Sequence, residues 1–393
     1  MIERDLKPGW KVWRFEQMAT NVNVRIDNPS ESGMEYYVGL EHLDPDSLRI
    51  RRWGSPDDVG ATKLMFKKGD IIFGRRRAYQ RKLGVAEFDG ICSAHAMVLR
   101  AKSGAVLPEF LPFFMQSDLF MNRAVEISVD SLSPTINWKT LAVQEFALPP
   151  MQEQCEIVQV LAATHECADA YKAAEAALEA LLLSRTDELF SGQIEDEVKE
   201  QVIGDIAEVQ YGLTINAKRR AIEKQSPYLR VANVQRFHID LSEVKDVGVD
   251  SKDDGCILQR NDILVVEGHA DIAELGRASI WEAQLPLCLH QNHLIRIRCR
   301  PEVDPYYVLE YVNSPAGRAY FRGRGKSTSG LNTLNSTVVR EMPIPIPPLA
   351  TQKSIAEELK AARQRLKDIA NRKEQHAAVS KRLSVEIFGG KQG

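Results

Sequence analysis

Beyond residue 150 the chain repeats its seam positions at a 4-3 spacing: Ile157, Leu161, Thr164, Ala168, Tyr171, Leu178, Leu182 and Leu189, interrupted only at Glu175 and Arg185. The same phase returns near the end in Ile355, Leu359, Ala362, Leu366, Ile369, Leu383 and Ile387, with Lys373, His376 and Ser380 in the intervening slots. A stripe at this spacing is the seam of a coiled coil, so each segment is expected to form a long helix with one face against a partner. Proline is tolerated in a first helical turn and breaks what precedes it, so Pro149-Pro150 and Pro347-Pro348 mark where the helices open.

Between the helical segments the pattern changes to short runs of β-forming residues. Asp70 to Phe73, Ala96 to Arg100, Asp262 to Val266 and His293 to Arg298 are separated by Gly, Asp, Asn and Pro. A short helical pattern follows near Pro108 to Ser117 and again near Pro305 to Ser314. These segments predict α+β globular domains.

The two halves are related. Thr135-Ile136-Asn137, Ala147-Leu148-Pro149-Pro150-Met151-Gln152-Glu153-Gln154, Ile157 and Leu161 return 198 positions later as Thr333-Leu334-Asn335, Pro345-Ile346-Pro347-Pro348-Leu349-Ala350-Thr351-Gln352, Ile355 and Leu359. Upstream, Phe66-x-x-Gly69-Asp70-Ile71-Ile72 answers to Leu258-x-x-Asn261-Asp262-Ile263-Leu264, and Tyr37-Val38-Gly39-Leu40 to Tyr228-Leu229-Arg230-Val231. Spaced matches in one order indicate a tandem duplication. The expected division is a domain at 1–147, a helix at 148–192, a second domain at 193–345 and a second helix at 346–390.

Charge tells the helices apart. The whole chain of 393 residues carries only −3, but residues 151–200 carry −9 and residues 351–393 carry +5. The two helices are therefore expected to pair with each other, antiparallel and under a pseudo-twofold axis, with Glu175 and Lys373 near the centre. A helix of about 40 residues would be about 60 Å long. The N-terminal sequence lacks the apolar stretch of a signal peptide and no run approaches a membrane span, so a cytoplasmic protein is expected. The six cysteines have no Cys-x-x-Cys pair and are expected to be reduced and buried.

The aliphatic-Pro-Pro-aliphatic-x-x-Gln motif opening an amphipathic helix, present twice, resembles the specificity subunits of type I restriction enzymes. The segments Tyr37 to Leu43, Gly69 to Phe73 and Ser329 to Asn332 are similar to stretches of that family's target recognition domains. The resemblance implies a non-catalytic subunit in which each globular domain binds one half of a two-part asymmetric site in double-stranded DNA. It further implies docking of two methyltransferase subunits on the helices, with restriction subunits joining the assembly. S-adenosylmethionine, ATP and magnesium would then belong to those partners, and this chain would carry no cofactor. A ~60 Å rod matches about 17 base pairs at ~3.4 Å each.

Under that resemblance the basic runs become candidate DNA contacts. Arg75, Arg76, Arg77, Tyr79, Arg81 and Lys82 form the densest, directly after a strand, although a solvated loop would have the same composition. In the second domain Arg318, Arg322, Arg324 and Lys326 interleave with Tyr320 and Phe321 in a segment read as a flexible loop, joined by Ser329 and Asn332. Ser131, Ser133 and Asn137 form the matching first-repeat segment, and Gln291 and Asn292 present amides suited to adenine edges, or to a turn. Gly325-Lys326-Ser327 is not a phosphate loop, because Tyr320 stands where the first glycine belongs. His290 and His293 lack further ligands at metal spacing, and neither a Gly-x-Gly-x-x-Gly loop nor an Asn-Pro-Pro-aromatic tetrad is present. A free-standing DNA-binding or scaffold protein is the alternative; neighbouring methyltransferase genes would argue against it.

Overall fold

A computed structural model describes residues 6–129, 132–190, 198–328 and 330–389. It divides into two compact units, Met1–Lys172 with Asn371–Gly393, and Ala173–Ala370. Each unit therefore takes one globular part and half of each long helix.

In the first unit a four-stranded antiparallel sheet is ordered Ala19–Val22, Met97–Ala101, Ile71–Phe73, Leu83–Val85. A second sheet joins Arg25–Ile26, Lys63–Phe66, Gly90–Ser93 and Tyr37–Val38, the last two strands running parallel. Lys11–Arg14 pairs with Glu145–Leu148, which ties the start of the domain to the residues just before the double proline. Helices Phe110–Gln116 and Asp118–Glu126 close the core with Phe110, Leu111, Phe114 and Phe120, all fully buried.

The second unit repeats the plan. Its sheet runs Ala207–Tyr211, Leu294–Cys299, Ile263–Val266, Ala278–Ile280, and Lys199–Val202 pairs with Pro343–Ile346. Helices Pro305–Asn313 and Pro315–Arg324 take the matching places. The short strands and the helices near Pro108 and Pro305 fall where the periodicity placed them. The second helix of each pair, started by the hydroxyl of Ser117 or Ser314 accepting a backbone N–H, was not expected.

Both long segments are helical, Met151–Phe190 and Leu349–Phe388. Every seam position of the 4-3 pattern is at least half-buried, including Glu175, Arg185, Lys373, His376 and Ser380. In the first unit Ile157 and Leu161 of the first helix share a core with Leu383, Ile387 and Phe388 of the second. In the second unit Leu182, Leu189 and Phe190 share one with Ile355, Leu359 and Ala362. Start meets end in both, so the helices pair antiparallel.

The seams do more than pair. Phe388 packs on Phe110 and Phe114 at ring distances of 5.8 and 6.0 Å, and Phe190 on Tyr307 and Tyr311 at 5.4 and 5.2 Å. The last turn of each helix is thus embedded in a globular core. The glutamine of the repeated motif explains the other end. Buried Gln154 donates to the Pro149 and Ala105 carbonyls and accepts from the Leu107 N–H; buried Gln352 donates to the Pro347 carbonyl and accepts from the Asp304 N–H.

All six cysteines are free thiols, but only Cys92 and Cys288 are buried. Cys155 and Cys167 are exposed, correcting the expectation for them, because both lie off the seam of the first helix. Among the described residues no helix is long and apolar enough to cross a membrane.

Candidate nucleic-acid interface

The strand Ile71–Phe73 leads straight into the densest basic run, and the structure splits that run in two. Arg81 turns inward: its Nε donates to Asp46 at 2.5 Å, it ion-pairs with Asp118 at 3.0 Å, and it also bonds the Gln116 carbonyl. Lys82 Nζ donates to the Leu40 carbonyl at 2.7 Å. These two cations are engaged within the fold. The turn between them and Arg77 holds both Arg77 and Arg81 in the left-handed region, at φ 58° and 53°, conformations of a kind that cluster at functional loops.

Arg76 and Arg77 converge instead on residues 133–135. Arg76 Nε donates to Ser133 Oγ at 2.5 Å and its backbone bridges Thr135, while the Arg77 N–H donates to the Pro134 carbonyl at 2.7 Å. Arg75 Nη2 donates to the Ala94 carbonyl at 3.2 Å. Arg77 and Tyr79 face solvent, the tyrosine 55% exposed. The corner is electropositive: partial burial and then the charges of Arg76, Arg75 and Lys63 push the His95 imidazole pKa down. Asn137 is exposed at the start of helix Trp138–Ala142, where its carbonyl accepts from the Thr140 and Leu141 N–H groups. Ser131 lies outside the described residues.

In the second unit the segment read as a flexible loop is a helix and a strand. Pro315 occupies the first turn, Phe321 is fully buried and the Tyr320 hydroxyl donates to the Val338 carbonyl at 2.9 Å, so the helix continues to Arg324 despite Gly323. Lys326–Thr328 then pairs with Leu331–Thr333, which pairs in turn with Gly268–His269. Arg322, Arg324 and Lys326 are exposed, and the Arg324 guanidinium stacks on Tyr320 at 4.0 Å. Asn332 Nδ2 donates to the Ala270 and His269 carbonyls at 3.0 and 3.3 Å, so its amide holds this small sheet together. Ser329 lies outside the described residues.

Gln291 and Asn292 form a turn rather than a helix or strand. Their N–H groups donate to the Leu229 and Leu213 carbonyls, each at 2.9 Å, and their side chains are half-buried. The preceding His290 is buried with its Nδ1–H donating to the Cys256 carbonyl at 3.1 Å. The following His293 meets Glu267 at 2.7 Å.

Each repeat thus presents a cationic surface at the same junction, where the 133–135 or 331–333 segment pairs with the end of the central strand. Lys63, His95, Glu267 and His269 belong to these corners without having been singled out in the sequence, and His293, weighed there only as a metal ligand, joins them. Among the described residues no group of three or more His, Cys, Asp or Glu side chains could hold a metal.

Residues 60–180 and 195–377 match the family model described as the type I restriction modification DNA specificity domain. The chain belongs to this specificity-subunit family. Specificity subunits similar to it include that of the type I restriction enzyme EcoDI of Escherichia coli, 28% identical over 38% of this chain and 34% of the relative. That of StySPI of Salmonella potsdam is 23% identical over 77% of this chain and 66% of the relative. The matches thus span about a third to two thirds of these relatives' own lengths. Solved structures share the fold: the S subunit of a type I system from M. genitalium, with a TM-score of 0.60 at 13% identity over 98% of this chain and 97% of that one. A chain from a structural study of complex assembly and conformational transition in a type I system gives 0.61 at 18% identity over 98% of both.

Proposed function

We propose that this specificity subunit is a non-catalytic reader of double-stranded DNA, each repeat binding one half of a two-part asymmetric site. The observation that carries the reading is the placement of exposed cations at equivalent junctions of both repeats: Arg77 with Tyr79 in one, Arg322, Arg324 and Lys326 in the other. Exposed cations just past a strand and in the last turn of a helix suit backbone phosphates, and half-buried side chains beside them suit base edges. Two methyltransferase subunits dock on the helices, and restriction subunits join through them. S-adenosylmethionine, ATP and magnesium reside on those partners, and the assembly works in the cytoplasm.

The test is to express the chain with its methyltransferase in a host and map modified adenines by long-read sequencing. A two-part motif with a fixed gap is the expected result, and exchange of residues 1–147 for another such domain changes one half only. Absence of any motif, or alteration of both halves, overturns the reading.

A further inference from the structure

The two repeats carry opposite charge at one equivalent place. Strand register defines the equivalence. Ile71 lies opposite Leu99 beside the Asp70–Arg100 pair, and Ile263 lies opposite Ile297 beside the Asp262–Arg298 pair. Four residues beyond each isoleucine stand Arg75 and Glu267; four before Leu99 and Ile297 stand His95 and His293. The main chain agrees, because the Arg75 carbonyl accepts from Ile136 N–H at 3.0 Å and the Glu267 carbonyl from Leu334 N–H at 2.8 Å.

Both side chains are held. Arg75 is half-buried, tethered to the Ala94 carbonyl, and lines a recess of about 210 Å³ with Asn21, Arg25, Thr62 and Trp138. Glu267 is 21% exposed and bonded through Oε2 to His293 Nδ1. This separates them from Arg77, Arg322 and Arg324, whose exposed cations suit phosphate. Discrimination between bases needs a donor or acceptor locked in one orientation, since a mobile side chain adapts to whatever it meets.

We propose that Arg75 and Glu267 are specificity-determining residues that demand opposite hydrogen-bonding patterns of a base edge in the two half-sites. The inference rests on the DNA-reading function proposed above. A guanidinium carries donors only and matches a pair of acceptors, as guanine O6 and N7 present in the major groove. A carboxylate carries acceptors only and matches an exocyclic amino group, as on cytosine N4 or adenine N6. His293, on the second Glu267 oxygen, orients the carboxylate; His95 beside Arg75 takes no such role. One half-site therefore contains a guanine, and the other a cytosine or adenine, that depends on a single side chain.

The test uses the full-length chain to select duplexes from a library with two randomised blocks and variable spacing, read by sequencing. Arg75→Lys keeps the charge and loses the fork, and is expected to relax a guanine preference at one position of one block by roughly tenfold or more. Glu267→Gln keeps the shape but adds donors, and is expected to relax or shift one position of the other block by a similar factor. Thermal melting establishes that each variant is folded, and if one is not, the other decides. A folded variant that selects the wild-type motif overturns the inference. So does uniform weakening on all sequences with the motif intact, which is the behaviour of a phosphate contact. Failure of the wild-type chain to select any motif is a different result, and it defeats the DNA-reading function itself.

Discussion

Arg298 clasps the fully buried Asp262 carboxylate through Nε and Nη2, each at 2.7 Å, and the same carboxylate accepts the Gln259 N–H at 2.7 Å. Asp70 is held alike by Arg100 at 2.7 and 2.8 Å and by the Lys67 N–H at 2.8 Å. Each aspartate fastens the turn before the central strand to the neighbouring strand. Removing it orphans a backbone donor and a guanidinium. Asp262→Ala is expected to cost about 2–4 kcal/mol, and Asp70→Ala less, because Arg100 is 49% exposed against 26% for Arg298 and water replaces part of its partner. Chemical denaturation of the two variants measures both values, and equal losses would contradict the ordering.

Gln154 and Gln352 bond the first turn of a long helix to its own globular domain. Each is about 1% exposed, so truncation leaves buried backbone groups unsatisfied. Gln154→Ala or Gln352→Ala is expected to lower stability by about 1–3 kcal/mol, whereas Gln152→Ala, at an exposed site one residue into the same helix, is expected to be neutral. Urea titrations of the three compare them directly.

Burial holds the His290 pKa at about 4, well below its ordinary 6.5. Between those values the unfolded chain takes up a proton that the folded chain refuses, so stability falls as pH drops through this window and levels off below about 4. The loss amounts to ~3 kcal/mol at the acid end. His165, packed on Phe113 at 5.1 Å, is shifted down chiefly by burial too and adds to the same trend. Melting temperatures measured from pH 7.5 to 4 are expected to decline, and an unchanged profile between pH 6.5 and 4.5 would count against the buried neutral imidazole.

If the proposed DNA-reading function holds, its exposed cations add affinity through counterion release. Arg77→Ala and Arg322→Ala are each expected to reduce the slope of log K against log salt by about 1 and to weaken binding on every sequence alike. Arg81→Ala, whose guanidinium is bound to Asp46 and Asp118, is expected to leave that slope unchanged and to lower stability instead. Fluorescence anisotropy across a salt series separates the two behaviours.

The long helices were legible because a 4-3 stripe has one structural meaning over 40 residues, and the double prolines fixed their starts. The tandem duplication was legible for the same reason, as Thr135 and Thr333 keep their partners Arg76 and Gly268 in both copies. The segment from Arg318 to Lys326 reads as a loop in the sequence, since two glycines and four cations resemble one in composition. What decides it is local: the Ser314 cap, Pro315 in the first turn and the buried Phe321. Arg81 and Lys82 looked equal to Arg77 because a basic run does not say which side chains find carboxylates and carbonyls from residues 35 to 42 positions away. Glu267 was invisible as a candidate because the repeats are offset by 192 positions at Ile71 and Ile263 but by 198 at Leu99 and Ile297. Only paired strands show that it stands where Arg75 does.

Phe388 completes the aromatic cluster around Phe110 and Phe114, yet it is made more than 270 residues after them. On the ribosome the first domain must wait, its socket empty, until Phe388 has been added, whereas Phe190 is already present when Tyr307 and Tyr311 emerge. The half that is synthesised first is therefore the half that finishes last, and a chain truncated before Phe388 loses its N-terminal domain's closure rather than its C-terminal one's.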